Sequence, residues 1–187
     1  MRFVLEGLEP PGRATALADY GPLARDERPL PPACPADFVA VKLYFSDSFP
    51  DEPASSELAA RLLEGLAQSS DVVVLTSGQQ LDEHREWVPA GRSIHDSSAW
   101  VTPQDNLAVQ SAVVAHARAL VSTYGGFSYL GAMLGVPTLA LHTREAFSRV
   151  HLDVLRAAYP DADYTLVGPE DASEVTRFVE RLAGAAR

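Results

Sequence analysis

The chain has 187 residues, 47% hydrophobic, 21% charged and 8% aromatic, a balance that fits one globular domain and excludes disordered, collagenous and disulfide-stapled classes. Its 15 basic and 25 acidic residues give a formal net charge of −10, which excludes a broad electrostatic grip on nucleic acid or anionic lipid and requires any anionic ligand to be held locally. The single cysteine, Cys34, has no partner for an internal disulfide, no leader pattern opens the chain, and no run reaches the roughly 20 apolar residues of a membrane span, so a soluble, cytoplasmic protein is expected.

Half of the 14 prolines fall in the first 35 residues, and residues 28–35 (RPLPPACP) cannot sustain a hydrogen-bonded ladder. Residues 1–36 therefore read as a proline-rich linker and 37–187 as the folded domain. Within the linker, Phe3, Val4, Leu5, Leu8, Leu17, Tyr20 and Leu23 are apolar without a clear period, which suits packing on a neighbouring element.

From Phe38 onward, short β-branched runs alternate with helical periodicity, the pattern of a doubly wound α/β fold with a parallel sheet of about six strands covered on both faces. The first strand is predicted over residues 38–44. A helix then begins near Pro53, with Leu58, Leu62 and Leu66 as its buried stripe. A second strand spans residues 71–76 and ends at Ser77 and Gly78, and a third lies near residues 93–95. Asp105 is placed to cap a helix running to His116, and residues 119–123 form the next strand. Phe127, Leu130 and Leu134 continue a helix that Gly135 can end in the left-handed conformation, and a strand follows over residues 137–142. A helix carrying Phe147, Val150, Val154 and Leu155 leads to a strand at residues 164–167. The last helix has Asp171 and Glu174 spaced as a capping box and Val175, Phe178, Val179 and Leu182 as its apolar face.

Ligands of such sheets bind beyond the carboxyl ends of the strands, above all where strand order reverses. Residues 122–128 (STYGGFS) stand out there. Two adjacent glycines between strand and helix let a ligand approach the backbone, the first helical turn favours a phosphate, and Ser122, Thr123 and Ser128 add neutral donors around Gly125, Gly126 and Phe127. The alternative is that the glycines only let the helix pack tightly on the strand. Ser46 and Ser48 leave the first strand toward the same rim. Lys42 either reaches solvent at a sheet edge or points its ammonium into a ligand cleft. Ser77, Gly78 and Trp100 are candidates for a nucleobase pocket, with core packing the alternative for Trp100.

Other chemistries lose ground. Residues 126–130 (GFSYL) lack the second glycine of a nucleophile elbow, and no turn matches the dinucleotide fingerprint or the P-loop. The five histidines, at positions 84, 95, 116, 142 and 151, have no metal-ligand spacing with one another or with Cys34, and Asp82, Glu83 and Glu86 read as solvated faces. No carboxylate pair identifies itself as an acid–base couple, so no catalytic residue is named and neither a metal nor a cofactor is expected.

With Gly125 and Gly126 followed by Gly135, Val136 and Pro137 before an apolar strand, residues 119–142 resemble the donor-binding half of GT-B glycosyltransferases, in particular the heptosyltransferase-like family, and are similar also to the nonhydrolysing UDP-N-acetylglucosamine 2-epimerases. The glycines match both patterns. The first would place an acid at Tyr124 and a histidine at Tyr129, and the second a serine and a glutamate, so the sugar-contacting positions depart from both. The resemblance implies a single Rossmann-like GT-B lobe that binds a nucleotide-diphosphate sugar as donor substrate for metal-independent glycosyl transfer. It places Tyr124 and Tyr129 near the base or sugar, and the acceptor on a separate lobe or protein, so that this chain alone is not competent for turnover; Glu145, just beyond the strand that ends at His142, is a candidate for a ribose hydrogen bond, with a helix-start carboxylate the alternative. The competing reading is a noncatalytic nucleotide-sugar-binding or interaction module. A flavodoxin-like module shares the fold class, but no flavin or phosphoacceptor pocket is evident at the end of the first strand.

Overall fold

Six short strands pair side by side in the computed structural model, which describes residues 21–25, 28–78, 85–87, 91–147, 149–169 and 171–185. In chain order the elements are β1 (Phe38–Lys42), β2 (Tyr44–Phe45), α1 (Pro53–Ala67), β3 (Asp71–Val74), β4 (Arg85–Glu86), β5 (Ile94–Asp96), a 3-10 turn (Ser97–Trp100) and α2 (Asn106–His116). There follow β6 (Ala119–Thr123), α3 (Gly126–Met133), β7 (Thr138–Leu141), α4 (Val150–Ala158), β8 (Tyr164–Val167) and α5 (Ala172–Ala185). The sheet runs β5-β3-β1-β6-β7-β8 with every pair parallel, while β2 and β4 form a separate antiparallel ribbon. Successive strands are laid outward from β1 on one side, then outward from β6 on the other. This is the Rossmann order, and its topological switch point lies between β1 and β6.

Alternate side chains of each strand enter opposite cores, as the two-residue period of a strand requires. Val39, Val41, Val72, Val74, Val121 and Leu139 meet Leu58, Leu62 and Leu66 of α1 and Phe178 and Leu182 of α5. Phe38, Ala40, Val73 and Leu120 face Val109, Val113 and Val114 of α2. Burial on both faces explains why these strands read as continuous apolar runs. Gly135 ends α3 with φ 68°, the left-handed conformation expected of it. Leu30 and Cys34 pack against the α2 side of the core, and burial pushes the Cys34 thiol up to about 11. The Leu23 N–H donates to the Met133 carbonyl at 2.9 Å. Among the described residues no helix is long and apolar enough to cross a membrane.

Several sequence expectations are corrected. The predicted strand over residues 38–44 divides after Lys42, because the Tyr44 N–H and carbonyl turn to the Thr123 hydroxyl, at 3.1 and 3.2 Å, instead of continuing the sheet. Lys42 is not at an edge: β1 is central, and the residue is only 8% exposed. Asp105 precedes α2, but its carboxylate turns back to accept from the Thr102 N–H and hydroxyl instead of capping the helix. Phe147 lies before α4, not within it, and packs on Tyr124. Asp171 presents its backbone carbonyl to the Glu174 N–H at 2.8 Å, and its carboxylate faces the Gly168 N–H. Phe3, Val4, Leu5, Leu8, Leu17, Tyr20, Asp82, Glu83 and His84 lie outside the described residues.

Candidate functional site at the strand-order switch

β1 and β6 end side by side, with Lys42 opposite Ser122, so the loops that leave them border one crevice. After β6 the Tyr124 N–H donates to the Leu141 carbonyl at 2.8 Å, and the chain turns at Gly125 with φ 154° and ψ −160°. Only glycine adopts that backbone cheaply. A Cβ on Gly125 would also collide with the Tyr44 hydroxyl, whereas one on Gly126 would meet nothing within 4 Å. The Ser128 hydroxyl locks the turn: it donates to the Gly125 carbonyl at 2.7 Å, accepts from the Gly125 N–H at 3.2 Å and pairs with the Tyr164 hydroxyl at 2.9 Å.

The crevice is an open cleft of about 420 Å³. Gly125 and Gly126 line it at the start of α3. The loop after β1 supplies Tyr44, Ser46, Asp47 and Ser48, and the opposite wall carries Tyr124, Tyr129, Phe147 and His151. His151 is the second residue of α4, so the amino ends of two helices border the same space, and both bring partial positive charge to it. The Ser48 carbonyl accepts from the Thr143 and Arg144 N–H groups at 2.9 and 3.1 Å, which ties the loop after β1 to the loop after β7. The Ser46 and Ser48 hydroxyls stand 3.2 Å apart.

The aromatic wall is contiguous. Tyr124 lies 4.1 Å from the Phe147 ring centroid and meets Tyr129 edge to face at 5.6 Å, while Tyr129 stacks on His151 at 6.5 Å and on Tyr164 at 6.4 Å. Burial raises the phenol pKa of all three tyrosines above its usual value, and for Tyr129 its hydrogen bond with Tyr124 raises it further.

Six residues singled out from the sequence thus line one cleft: Ser46, Ser48, Tyr124, Gly125, Gly126 and Tyr129. Others are held in the framework around it. The Ser122 hydroxyl donates to the Thr123 carbonyl, Thr123 is bound to Tyr44, and both side chains are fully buried. Phe127 packs toward the α2 core. The Lys42 ammonium pairs with the Glu86 carboxylate and lies 5.3 Å from the Phe127 ring centroid. Ser77 donates its N–H to the same carboxylate at 2.9 Å, which places Ser77 and the exposed Gly78 beside that ion pair and not on the cleft. Trp100 packs against the α2 core, and Glu145 is exposed in an ion pair with Arg149. Asp96, at the end of β5, is pushed up by partial burial, but hydrogen bonds from the Thr76 hydroxyl, the Ser98 N–H and the Ser98 hydroxyl outweigh this and hold its pKa below the usual value.

Sequence reasoning did not single out Tyr44, Asp47, Phe147 or His151. Phe147 and His151 reach the cleft from about a hundred residues beyond Tyr44, and no local pattern announces such a long-range meeting.

No family model matches the chain, and no curated protein matches it. Among solved structures it is similar to the beta Kdo 2,4 transferase KpsC of Thermosulfurimonas dismutans, at 12% identity and a TM-score of 0.41 over 76% of this chain and 46% of that one. It is similar also to the glycotransferase of kitacinnamycin, at 16% identity and a TM-score of 0.48 over 86% of this chain and 39% of that one. The chain spans less than half the length of either. The Rossmann architecture is established by the strand order itself.

Chemically, the cleft joins an exposed glycine backbone, two helix amino ends and paired serine hydroxyls to a wall of aromatic faces. The first group suits an oxyanion, and the second suits a flat base or a sugar ring.

Proposed function

We propose that the chain binds a nucleotide-diphosphate sugar in the switch-point cleft and forms the donor-binding part of a glycosyltransferase of GT-B type. One observation carries the reading: the Gly125–Gly126 turn opens the amino end of α3 into a cleft at the point where strand order reverses. The diphosphate lies against the backbone of Gly125 and Gly126, within reach of Ser46 and Ser48, and the base or sugar lies against Tyr124, Tyr129 and Phe147. In glycosyl transfer the charge that develops on the leaving diphosphate is stabilised by these fixed dipoles without a metal ion. Lys42 joins them only if it leaves Glu86.

A noncatalytic nucleotide-sugar module is the second reading. It is favoured by Tyr124 and Tyr129, whose buried, neutral phenols occupy the positions where the resemblance expects ionisable or sugar-binding groups. Thermal melts of the chain with UDP, GDP, ADP, TDP and their sugar conjugates test the shared claim, and radiolabelled sugar transfer in the presence of an acceptor-lobe protein separates the readings. Saturable binding with turnover supports the first reading, and stoichiometric binding without turnover supports the second.

A further inference from the structure

His142 directly follows β7 at the carboxyl rim of the sheet. Leu139 and Leu141 enter the α1 and α5 core, whereas Ala140 faces Tyr124 and Leu152 on the other side. His142 continues the parity of Ala140 and therefore turns to the face that carries the aromatic wall of the cleft. Its ring meets Phe147 edge to face at 5.2 Å, and Phe147 packs also on Tyr124 at 4.1 Å between ring centroids. The residue is 6% exposed, yet its Nδ1 has no hydrogen-bond partner among the described residues. Native structures rarely leave such a group unpaired, so this nitrogen calls for a partner from outside the chain, a bound ligand or an ordered water. Ser70 Oγ and Gln110 Oε1 share this condition, but Ser70 precedes β3 at the opposite end of the sheet and Gln110 lies on α2. Of these three, His142 is the one that packs on a ring lining the cleft, that of Phe147.

We propose that His142 is a ligand-contacting residue of this cleft, covered by Phe147 until the ligand enters, and that its Nδ1 pairs with a hydroxyl or phosphate oxygen of the bound nucleotide sugar. This rests on reading the cleft as a nucleotide-sugar site. Phe147 is half-buried and reaches the cleft from the loop between β7 and α4, so its ring can turn aside without disturbing a strand. The imidazole then becomes the innermost polar group on the aromatic side.

The test is calorimetric titration of the full chain, as wild type, His142→Leu and His142→Asn, with pyrophosphate, the four nucleoside diphosphates and their glucose conjugates. Leucine keeps apolar bulk, and asparagine restores a polar group near the position of Nδ1. For the probe that binds wild type, His142→Leu should bind about tenfold or more weakly, the loss expected for one buried hydrogen bond, and His142→Asn should stay within about threefold of wild type. His142→Leu should melt no lower than wild type, because it removes an unpaired buried nitrogen. A loss seen with nucleoside diphosphates but not with pyrophosphate assigns the partner to a hydroxyl, and a loss shared by both assigns it to phosphate.

Should the leucine variant fail to fold, nitrogen-15 histidine spectra of the wild type give the answer, with a shifted Nδ1 resonance of His142 on saturation as the expected result. Equal affinity of His142→Leu and wild type, equal losses for leucine and asparagine, or an unmoved resonance with probe bound would overturn this inference alone. Failure of every probe to bind wild type would overturn the nucleotide-sugar reading and this inference with it.

Discussion

The two adjacent glycines of the turn should respond to alanine in opposite ways. At Gly125, with φ 154° and ψ −160°, an L side chain costs about 1–3 kcal/mol in backbone strain, and its Cβ would come closer to the Tyr44 hydroxyl than the 3.0 Å that real Cβ atoms respect. At Gly126, φ is not positive and the added Cβ meets nothing within 4 Å, so alanine should stabilise by about 0.4–1 kcal/mol through the unfolded chain. For a chain of this size 1 kcal/mol moves the melting midpoint by about 2–4 °C. Gly125→Ala should therefore lower the midpoint by about 2–12 °C before any cost of displacing Tyr44, and Gly126→Ala should raise it by about 1–4 °C. Adding Tyr44→Phe to Gly125→Ala removes the colliding oxygen and leaves Cζ at 3.6 Å, an ordinary contact, so the double variant should recover the collision share and keep the backbone share. Thermal and urea unfolding followed by circular dichroism measures all three. Equal stability of the two single variants would refute the assigned turn geometry.

Lys42→Met should destabilise by about 3 kcal/mol or more, because it strands the Glu86 carboxylate where the two side chains are only 10% and 17% exposed, and Lys42→Met with Glu86→Gln should recover part of that loss in a denaturant double-mutant cycle. A shift below 1 kcal/mol would mean that the pair is solvated like a surface bridge. Tyr124, Tyr129 and Tyr164 keep their protons in the folded state at a pH where the unfolded chain ionises near pH 10. Their contribution to stability is therefore complete below pH 10 and is lost as pH rises beyond it. Tyrosinate absorbance should show part of the six tyrosines ionising only with unfolding, and full titration near pH 10 in the folded chain would contradict the buried cluster.

Most of the sheet was legible in the sequence because its strands are buried on both faces, which turns residues such as 38–42, 71–74 and 119–123 into apolar runs that stand out from their surroundings. The two-residue ribbon was not. Tyr44 looks like the end of the first strand, and nothing local shows that Thr123, 79 residues later, captures its backbone. Gly125 and Gly126 were found because a double glycine between strand and helix has few structural uses. The partner of Lys42 was hidden, since Glu86 belongs to a strand too short to show any period. Asp105 illustrates a competition that spacing cannot resolve: the same carboxylate can cap the helix ahead or bind Thr102 behind, and it takes the second.

The central claim, a diphosphate seated on the Gly125–Gly126 turn, is tested most directly by melting wild type and Gly126→Val side by side with each nucleoside diphosphate and its sugar conjugates. Valine adds a branched side chain to the cleft floor where an added Cβ meets no neighbour, so the fold should survive while phosphate approach is blocked. Ligand at a hundred times its dissociation constant stabilises by about 2.7 kcal/mol, or roughly 5–11 °C for this chain. The account predicts that shift for wild type with one nucleotide and its absence in Gly126→Val; no shift with any nucleotide, or the same shift in both proteins, would contradict it.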